Sequence, residues 1–144
     1  MTIRRILEDK GRDVTTLTPN VTLAEVASVL SQKRIGAIIL VEDDGRLAGI
    51  VSERDIVRVI AASGPDILKH PVKEAMTPKV ITVREDMTID AALQLMTEKR
   101  FRHLPVVDEN EALVGFVSIG DVVKRKISEA EAEASMMRDY IHTS

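Results

Sequence analysis

The sequence predicts an α/β (α+β) fold made of two β-α-β-β-α repeats related by pseudo-twofold symmetry, and three observations carry that expectation. Thr22 to Arg34 reads TLAEVASVLSQKR and Thr88 to Arg100 reads TIDAALQLMTEKR, without a gap and at an offset of 66 residues. The offset holds outward: Val41 falls on Val107, Leu47 on Leu113, Gly49 on Gly115, Val51 on Val117, Ser52 on Ser118 and Asp55 on Asp121, while Val14 meets Val80 and Thr16 meets Thr82. Each copy also passes through the same succession of strand-like and helix-like periodicities. A unit of about 50 residues buries too little surface to be secure alone, so pairing of the copies is physically expected.

In chain order, Thr2 to Lys10 sets Ile3, Ile6 and Leu7 at helical spacing, an amphipathic helix stopped by Gly11. Residues 1–13 are this helix and its linker. Repeat one, residues 14–61, opens with an extended segment, Val14 to Leu17. A helix follows with Leu23, Val26, Ala27 and Leu30 on one face and Thr22 placed to cap it. Ala37 to Val41 and Leu47 to Val51 then form a hairpin about the polar turn Glu42 to Arg46, and a last helix starts near Ser52. The breakers Ala62-Ser63-Gly64-Pro65-Asp66 and His70-Pro71 make residues 62–75 a linker crossing from one half to the other. Repeat two, residues 76–127, reproduces the series: Val80 to Val83, a helix bearing Ile89, Ala92, Leu93 and Met96 behind Thr88, and Leu104 to Val107 with Leu113 to Val117 about Asp108 to Ala112. Its last helix starts near Ser118. Lys124 to Tyr140 is a charged helix candidate with a thin stripe of Ile127, Ala130, Ala134, Met137 and Ile141, able to cover a module edge or a partner subunit. Residues 128–144 are assigned as a C-terminal helical tail.

Composition narrows the function. A chain of 144 residues holds one compact domain or two very small ones, with no room for a large catalytic domain. The hydrophobic fraction is 44% but the aromatic fraction 2%, so the core is aliphatic and no aromatic platform is present. A net charge of −3 speaks against nucleic acid as a partner. The absence of cysteine removes disulfides, thiol nucleophiles and zinc-thiolate sites, and agrees with a reducing compartment. No run of about 18 apolar residues occurs, so neither secretion nor a membrane partner is expected, and the expected compartment is cytoplasmic. The histidines, His70, His103 and His142, are scattered, which indicates neither a catalytic triad nor a metal site, and no enzyme activity is expected. Lys124-Arg125-Lys126 reads as a solvated helix face.

The chemistry-bearing motif is duplicated. Gly49-Ile50-Val51-Ser52-Glu53-Arg54-Asp55 and Gly115-Phe116-Val117-Ser118-Ile119-Gly120-Asp121 each set a Ser-x-x-Asp at a helix start behind a Gly-led strand. An aspartate there offers two acceptor oxygens to the hydroxyls of a ribose diol, and a serine at the helix start, with free backbone N–H groups and the helix dipole, suits phosphate. The same four residues are also a capping box that needs no ligand.

These two motifs, with Phe101-Arg102-His103-Leu104-Pro105-Val106-Val107-Asp108 and Glu74-Ala75-Met76-Thr77, resemble the CBS-domain (cystathionine β-synthase domain) family, over about residues 1 to 127. The resemblance implies a Bateman module: two CBS motifs forming a disc with a cleft on each face, often dimeric, and often binding an adenine nucleotide. AMP is expected first, then ATP or ADP, NAD(H) or S-adenosylmethionine, with no obligatory cofactor. By that similarity Asp55 and Asp121 would hold ribose. The Asp121 cleft would draw Ser118 and His103 from repeat two and Thr15, Ile35 and Gly36 from repeat one. The Asp55 cleft would draw Ser52 from repeat one and Ile81, Phe101 and Arg102 from repeat two, with Arg54 near its mouth. Arg102 and His103 suit a pyrophosphate, but a solvated arginine and an ordinary strand histidine are equally open readings. The implied output is regulatory, through a homodimer or an unidentified protein target. The competing class is a structural dimerisation or docking module without ligand.

Overall fold

The structure is a computed structural model that describes residues 1–143. It divides into two compact units: a first-copy unit of Asp13–Ile81 with Glu109–Val114, and a second-copy unit of Met1–Arg12, Thr82–Asp108 and Gly115–Ser144. Among the described residues no helix is long and apolar enough to cross a membrane.

In the first-copy unit, β1 (Thr16–Leu17) runs parallel to β2 (Ala37–Val41), and β2 pairs antiparallel with β3 (Leu47–Ser52). Helix α2 (Leu23–Lys33) starts where Thr22 Oγ1 accepts the N–H of Glu25 at 3.2 Å, the cap expected of that threonine. It ends on Arg34, a left-handed residue with φ of 54°. Leu23, Val26 and Leu30 recur at helical spacing and meet Ile38, Leu40 and Val51, the alternate residues of β2 and β3, with Ile56, Val72 and Ala75 closing the core. Burying each of the leucine, isoleucine and valine side chains contributes about 1.5–3 kcal/mol. Helix α3 (Glu53–Ser63) stops at Gly64, whose φ of 82° favours a residue without a side chain. Two 3-10 turns, Pro65–Lys69 and Val72–Glu74, carry the chain onward.

The second copy repeats the scheme with α4 (Ile89–Lys99), β4 (His103–Val107), β5 (Leu113–Ser118) and α5 (Ile119–Thr143), and all but the first two residues of β5 lie in the second-copy unit. Thr88 Oγ1 accepts the N–H of Ala91 at 3.1 Å, and α4 ends on Arg100 with φ of 60°. Ile89, Ala92, Met96, Leu104, Val106, Val117 and Val122 are buried here, as are Ile3, Ile6 and Leu7 of α1 (Ile3–Lys10), which ends at Gly11 as its sequence predicts.

One expectation is corrected. The extended segment Val80 to Val83 is no strand; it is reduced to a single parallel bridge, Val83 to Val106. Val83 N–H donates to the Pro105 carbonyl at 3.0 Å and Val107 N–H to the Val83 carbonyl at 2.9 Å. The next rung would need an N–H from residue 105, and proline has none. In the first copy Ile39 occupies the matching position and its rung with Thr16 forms. Lys124 to Tyr140 is helical as expected and forms part of α5, which is continuous from Ile119 to Thr143. Beyond Gly120 in the first turn no breaker interrupts it, and its alanines, glutamates and lysines are good helix formers.

The segment leading into each repeat joins the unit of the other. In the second-copy unit Ile3 N–H donates to Met87 at 2.9 Å, Arg4 N–H to Glu85 at 3.0 Å, and Ile89 N–H to Met1 at 3.0 Å, all to backbone carbonyls. In the first-copy unit Val72 N–H donates to Val21 at 2.8 Å, Lys73 N–H to Pro19 at 3.1 Å, and Leu23 N–H to His70 at 3.0 Å. The repeat residues keep the offset of 66, whereas the leading segments correspond at 69: Ile3 with Val72, and Leu7 with Met76. The glycines confirm this register. A Cβ at Gly115 would lie 2.7 Å from both Cδ atoms of Leu7, and one at Gly49 would lie 2.9 Å from Met76 Sδ and 2.6 Å from the Thr77 carbonyl oxygen.

Candidate functional site

The Ser-x-x-Asp sequences form closed capping boxes. At α3, Ser52 N–H donates to Asp55 Oδ2 at 2.9 Å, the Ser52 hydroxyl donates to the same oxygen at 3.1 Å, and Asp55 N–H donates to Ser52 Oγ at 3.3 Å. At α5, Ser118 N–H donates to Asp121 Oδ2 at 2.9 Å and Asp121 N–H to Ser118 Oγ at 3.1 Å. A further N–H of each helix start is taken by the residue before the hairpin: Glu53 donates to the Gly36 carbonyl at 3.0 Å and Ile119 to the Arg102 carbonyl at 2.8 Å. The free N–H groups expected at Ser52 and Ser118 are therefore engaged, because a helix terminus satisfies its own orphan donors when a suitable side chain follows three residues on.

The two carboxylates differ in their cations. Asp55 Oδ1 accepts from Arg58 Nη2 at 3.1 Å, one turn along the same helix. Asp121 Oδ2 accepts from Lys10 Nζ at 2.7 Å, and the same ammonium donates to the Phe116 carbonyl at 3.0 Å. Burial by itself pushes the Asp121 carboxyl up, but the Lys10 ammonium and the Ser118 N–H outweigh it and hold the group below its ordinary value of 3.8. Asp121 is thus a carboxylate at neutral pH. It borders a cavity of about 240 Å³ lined by Ile6, Asp9, Lys10, Lys124, Arg125 and Ser128.

Of the other residues singled out in the sequence, Arg54, Thr15, Ile35, Gly36 and Ile81 lie in the unit of Asp55 and Ser52, and Phe101, Arg102 and His103 in the unit of Asp121 and Ser118. Ile35 lines a cavity of about 520 Å³ with Ala27, Leu30, Arg34, Glu53 and Ile56, a set that includes neither Asp55 nor Ser52. Thr15 and Ile81 are partly buried, while the Arg54 and Arg102 side chains are exposed. His103 stacks on Phe116 with ring centroids 5.4 Å apart and planes 27° apart. Phe101 is partly buried at the entry to β4. Lys10 was not foreseen. Its helix lies outside the repeat, and its leading segment is three residues out of step with the offset of 66, so no motif ties it to Asp121.

Taken together, the fold defines a tandem α/β repeat protein in which each copy ends in a helix opened by a Ser-x-x-Asp cap. The chain belongs to the CBS-domain family: the family's sequence profile matches residues 5–62 and 72–128. A 17.7 kDa protein of Acidianus ambivalens is 42% identical over 106 residues, 74% of this chain and 63% of that relative. A Methanopyrus kandleri protein, MK0525, is 35% identical over 113 residues, 78% of this chain and 58% of its own length. This chain thus spans about six-tenths of those two relatives. Among solved structures, a CBS-domain protein of Agrobacterium tumefaciens, ATU1752, superposes with a TM-score of 0.83 at 42% identity, covering 87% of this chain and 92% of its own. The CBS-domain protein PAE2072 of Pyrobaculum aerophilum, solved with AMP, has a TM-score of 0.75 at 32% identity over 84% of this chain and 89% of its own. The CBS domain pair of protein MJ0100, solved with 5'-methylthioadenosine and S-adenosyl-L-methionine, has a TM-score of 0.79 at 26% identity over 90% and 98%.

Proposed function

We propose that this chain is a regulatory module, not an enzyme, that binds an adenine nucleotide at its Ser-x-x-Asp helix starts and signals by a conformational or oligomeric change as a homodimer. AMP is the first candidate, ahead of ADP, ATP, NAD(H) and S-adenosylmethionine. The observation that carries the reading is the Asp121 carboxylate: ionised, partly buried, set in the first turn of α5 and bordering a cavity. Such a group takes both hydroxyls of a ribose diol. Support comes from relatives of the same fold, of which PAE2072 is solved with AMP and MJ0100 with two other adenosine compounds. In this reading Asp55 and Asp121 hold ribose, Ser52, Ser118, Arg54, Arg102 and His103 serve phosphate, and Thr15, Ile35, Gly36, Ile81 and Phe101 contact the adenosine.

Lys10 gives the Asp121 site its regulation. A ribose that engages Oδ2 displaces the ammonium, and a phosphate offers it a new acceptor. A ligand shifts a conformational equilibrium only by its differential affinity, and here that difference comes from moving the α1 terminus. The alternative, a ligand-free docking module, is favoured by one observation: both capping boxes are already satisfied.

The test is a thermal-shift series with AMP, ADP, ATP, NAD⁺, NADH and S-adenosylmethionine. A ligand present at a hundred times its Kd stabilises the native state by about 2.7 kcal/mol. A concentration-dependent rise that disappears in Asp121→Ala supports the sensor; no rise with any ligand favours the docking module. Lys10→Met sharpens the outcome. It should strengthen binding of uncharged adenosine, whose ribose meets no competitor, and weaken AMP relative to adenosine several-fold. Equal effects on both would remove Lys10 from the site.

A further inference from the structure

The first turns of α5 are seated on their own unit. Val122 is buried, Arg125 Nη1 pairs with Asp9 Oδ2 at 3.0 Å, and Lys126 Nζ pairs with Asp90 Oδ1 at 2.6 Å. From Ala130 to Ile141 every residue is exposed. The apolar stripe therefore does not cover the module edge. Val123, Ile127, Ala130, Ala134, Met137 and Ile141 recur at alternating steps of four and three, the heptad spacing of a coiled-coil seam. At 100° per residue the seam lies roughly a quarter turn from the flank that carries Val122 and Lys126. Ile127 is 54% exposed and Met137 64%.

We infer that α5 pairs with the α5 of a second copy of this chain, parallel and in register, along this seam. The charges flanking it choose the occupant and the direction. In a parallel pair the residues beside the seam meet across the interface five positions apart. That sets Glu133 against Arg138 of the partner helix, and Lys126, already holding Asp90, against Glu131. Both of these meetings are of opposite charge. In an antiparallel pair centred on the same segment Glu131 would meet Glu131, and Lys124 would meet Arg138, like against like. Under three heptads with alanine at two seam positions would be marginal as a free peptide. Here the helix is ordered beforehand by its seated first turns, so pairing loses less conformational entropy. The family profile ends at residue 128, so most of the seam lies outside the CBS repeats. The inference rests on the homodimeric reading above and adds the surface that joins the two copies.

The chain has no cysteine, so single thiols report the geometry directly. In full-length Ala134→Cys the two thiols face each other across a parallel seam, and mild oxidation should convert most of the protein to a covalent dimer. Ala132→Cys, on the outer face of the same turn, should stay monomeric on non-reducing gels. Adding Glu133→Lys to Ala134→Cys should cut the cross-linked fraction several-fold, and a further Arg138→Glu should restore it. Equal cross-linking at 132 and 134, or indifference to Glu133→Lys, would overturn the proposal. So would a dimer by light scattering without the 134 link, which would leave the homodimer standing on another surface. A monomer by light scattering would overturn both.

Discussion

Asp55 and Asp121 occupy the same place in two copies of one motif, yet one carboxylate is answered from within its own helix and the other from 111 residues away. The physical root lies in the leading segments. After Ala75 the chain straightens and pairs its backbone with β3, Thr77 N–H donating to the Ile50 carbonyl at 2.8 Å. The equivalent carbonyl, Phe116, instead receives Lys10 Nζ, because α1 stays helical for another turn and delivers a side chain where the first copy delivers a backbone. The difference teaches that a capping carboxylate, its box closed locally in both copies, can find its cation within the same helix or from a distant one. Only the second kind ties a distant helix to the aspartate.

The strongest way to break this comparison is at the paired glycines. Gly49→Ala would drive a methyl into the Thr77 carbonyl, which the bridge to Ile50 holds in place, whereas Gly115→Ala meets only the side-chain end of Leu7. Urea unfolding should show a loss of about 3 kcal/mol for Gly49→Ala and about 1–2 kcal/mol for Gly115→Ala. Equal losses would mean that buried Leu7 yields no more than a backbone carbonyl.

Removing the carboxylates comes next. Asp55→Ala should cost about 1 kcal/mol, the usual value of a lost cap, and Asp121→Ala about 1–2 kcal/mol, since it also removes the Lys10 ion pair and leaves that ammonium only the Phe116 carbonyl. In a Lys10→Met background the two costs should converge. A gap that persists there would assign the difference to something other than the ammonium.

Acid distinguishes the copies by the same contact. The Asp121 pKa is lowered in the folded state, so its contribution to stability is present above the unfolded aspartate value and is lost as pH falls through the folded value, below 3.8. The stability advantage of wild type over Asp121→Asn should hold from neutrality to about pH 5 and shrink steadily below about pH 4. A pH-independent advantage would show that hydrogen-bond geometry, not charge, makes the contact.

The smallest effect is expected where the copies agree. Arg34 and Arg100 both end their helices in the left-handed region, with φ of 54° and 60°, a conformation that disfavours a side chain. Arg34→Gly and Arg100→Gly should each stabilise by about 0.5–1 kcal/mol in thermal unfolding. Unequal gains would point to a cost of losing one of the two side chains.

Much of this was legible in the residues. The repeat at 66, the threonine caps of α2 and α4, the hairpins and the stop at Gly11 depend on local periodicity and on side chains that act within three or four positions, so a linear reading finds them. Pro105 carried a readable warning as well, since a proline in a strand deletes a rung, but its effect on Val80 to Val83 appears only once the strands are set side by side. The Ser-x-x-Asp motifs announced capping and ligand chemistry together without separating them, because both use the same oxygens.

What the amino-acid sequence determined alone was a set of elements and their duplication, since each depends on neighbours within a turn of helix or a hairpin. Tertiary structure decided that α1 joins the second-copy unit, that Lys10 closes on Asp121 while Arg58 serves Asp55, and that α5 carries its apolar stripe into the open. These outcomes depend on where a segment's end arrives in space, and a shift of three residues in the leading segments, invisible to the repeat, sets that arrival.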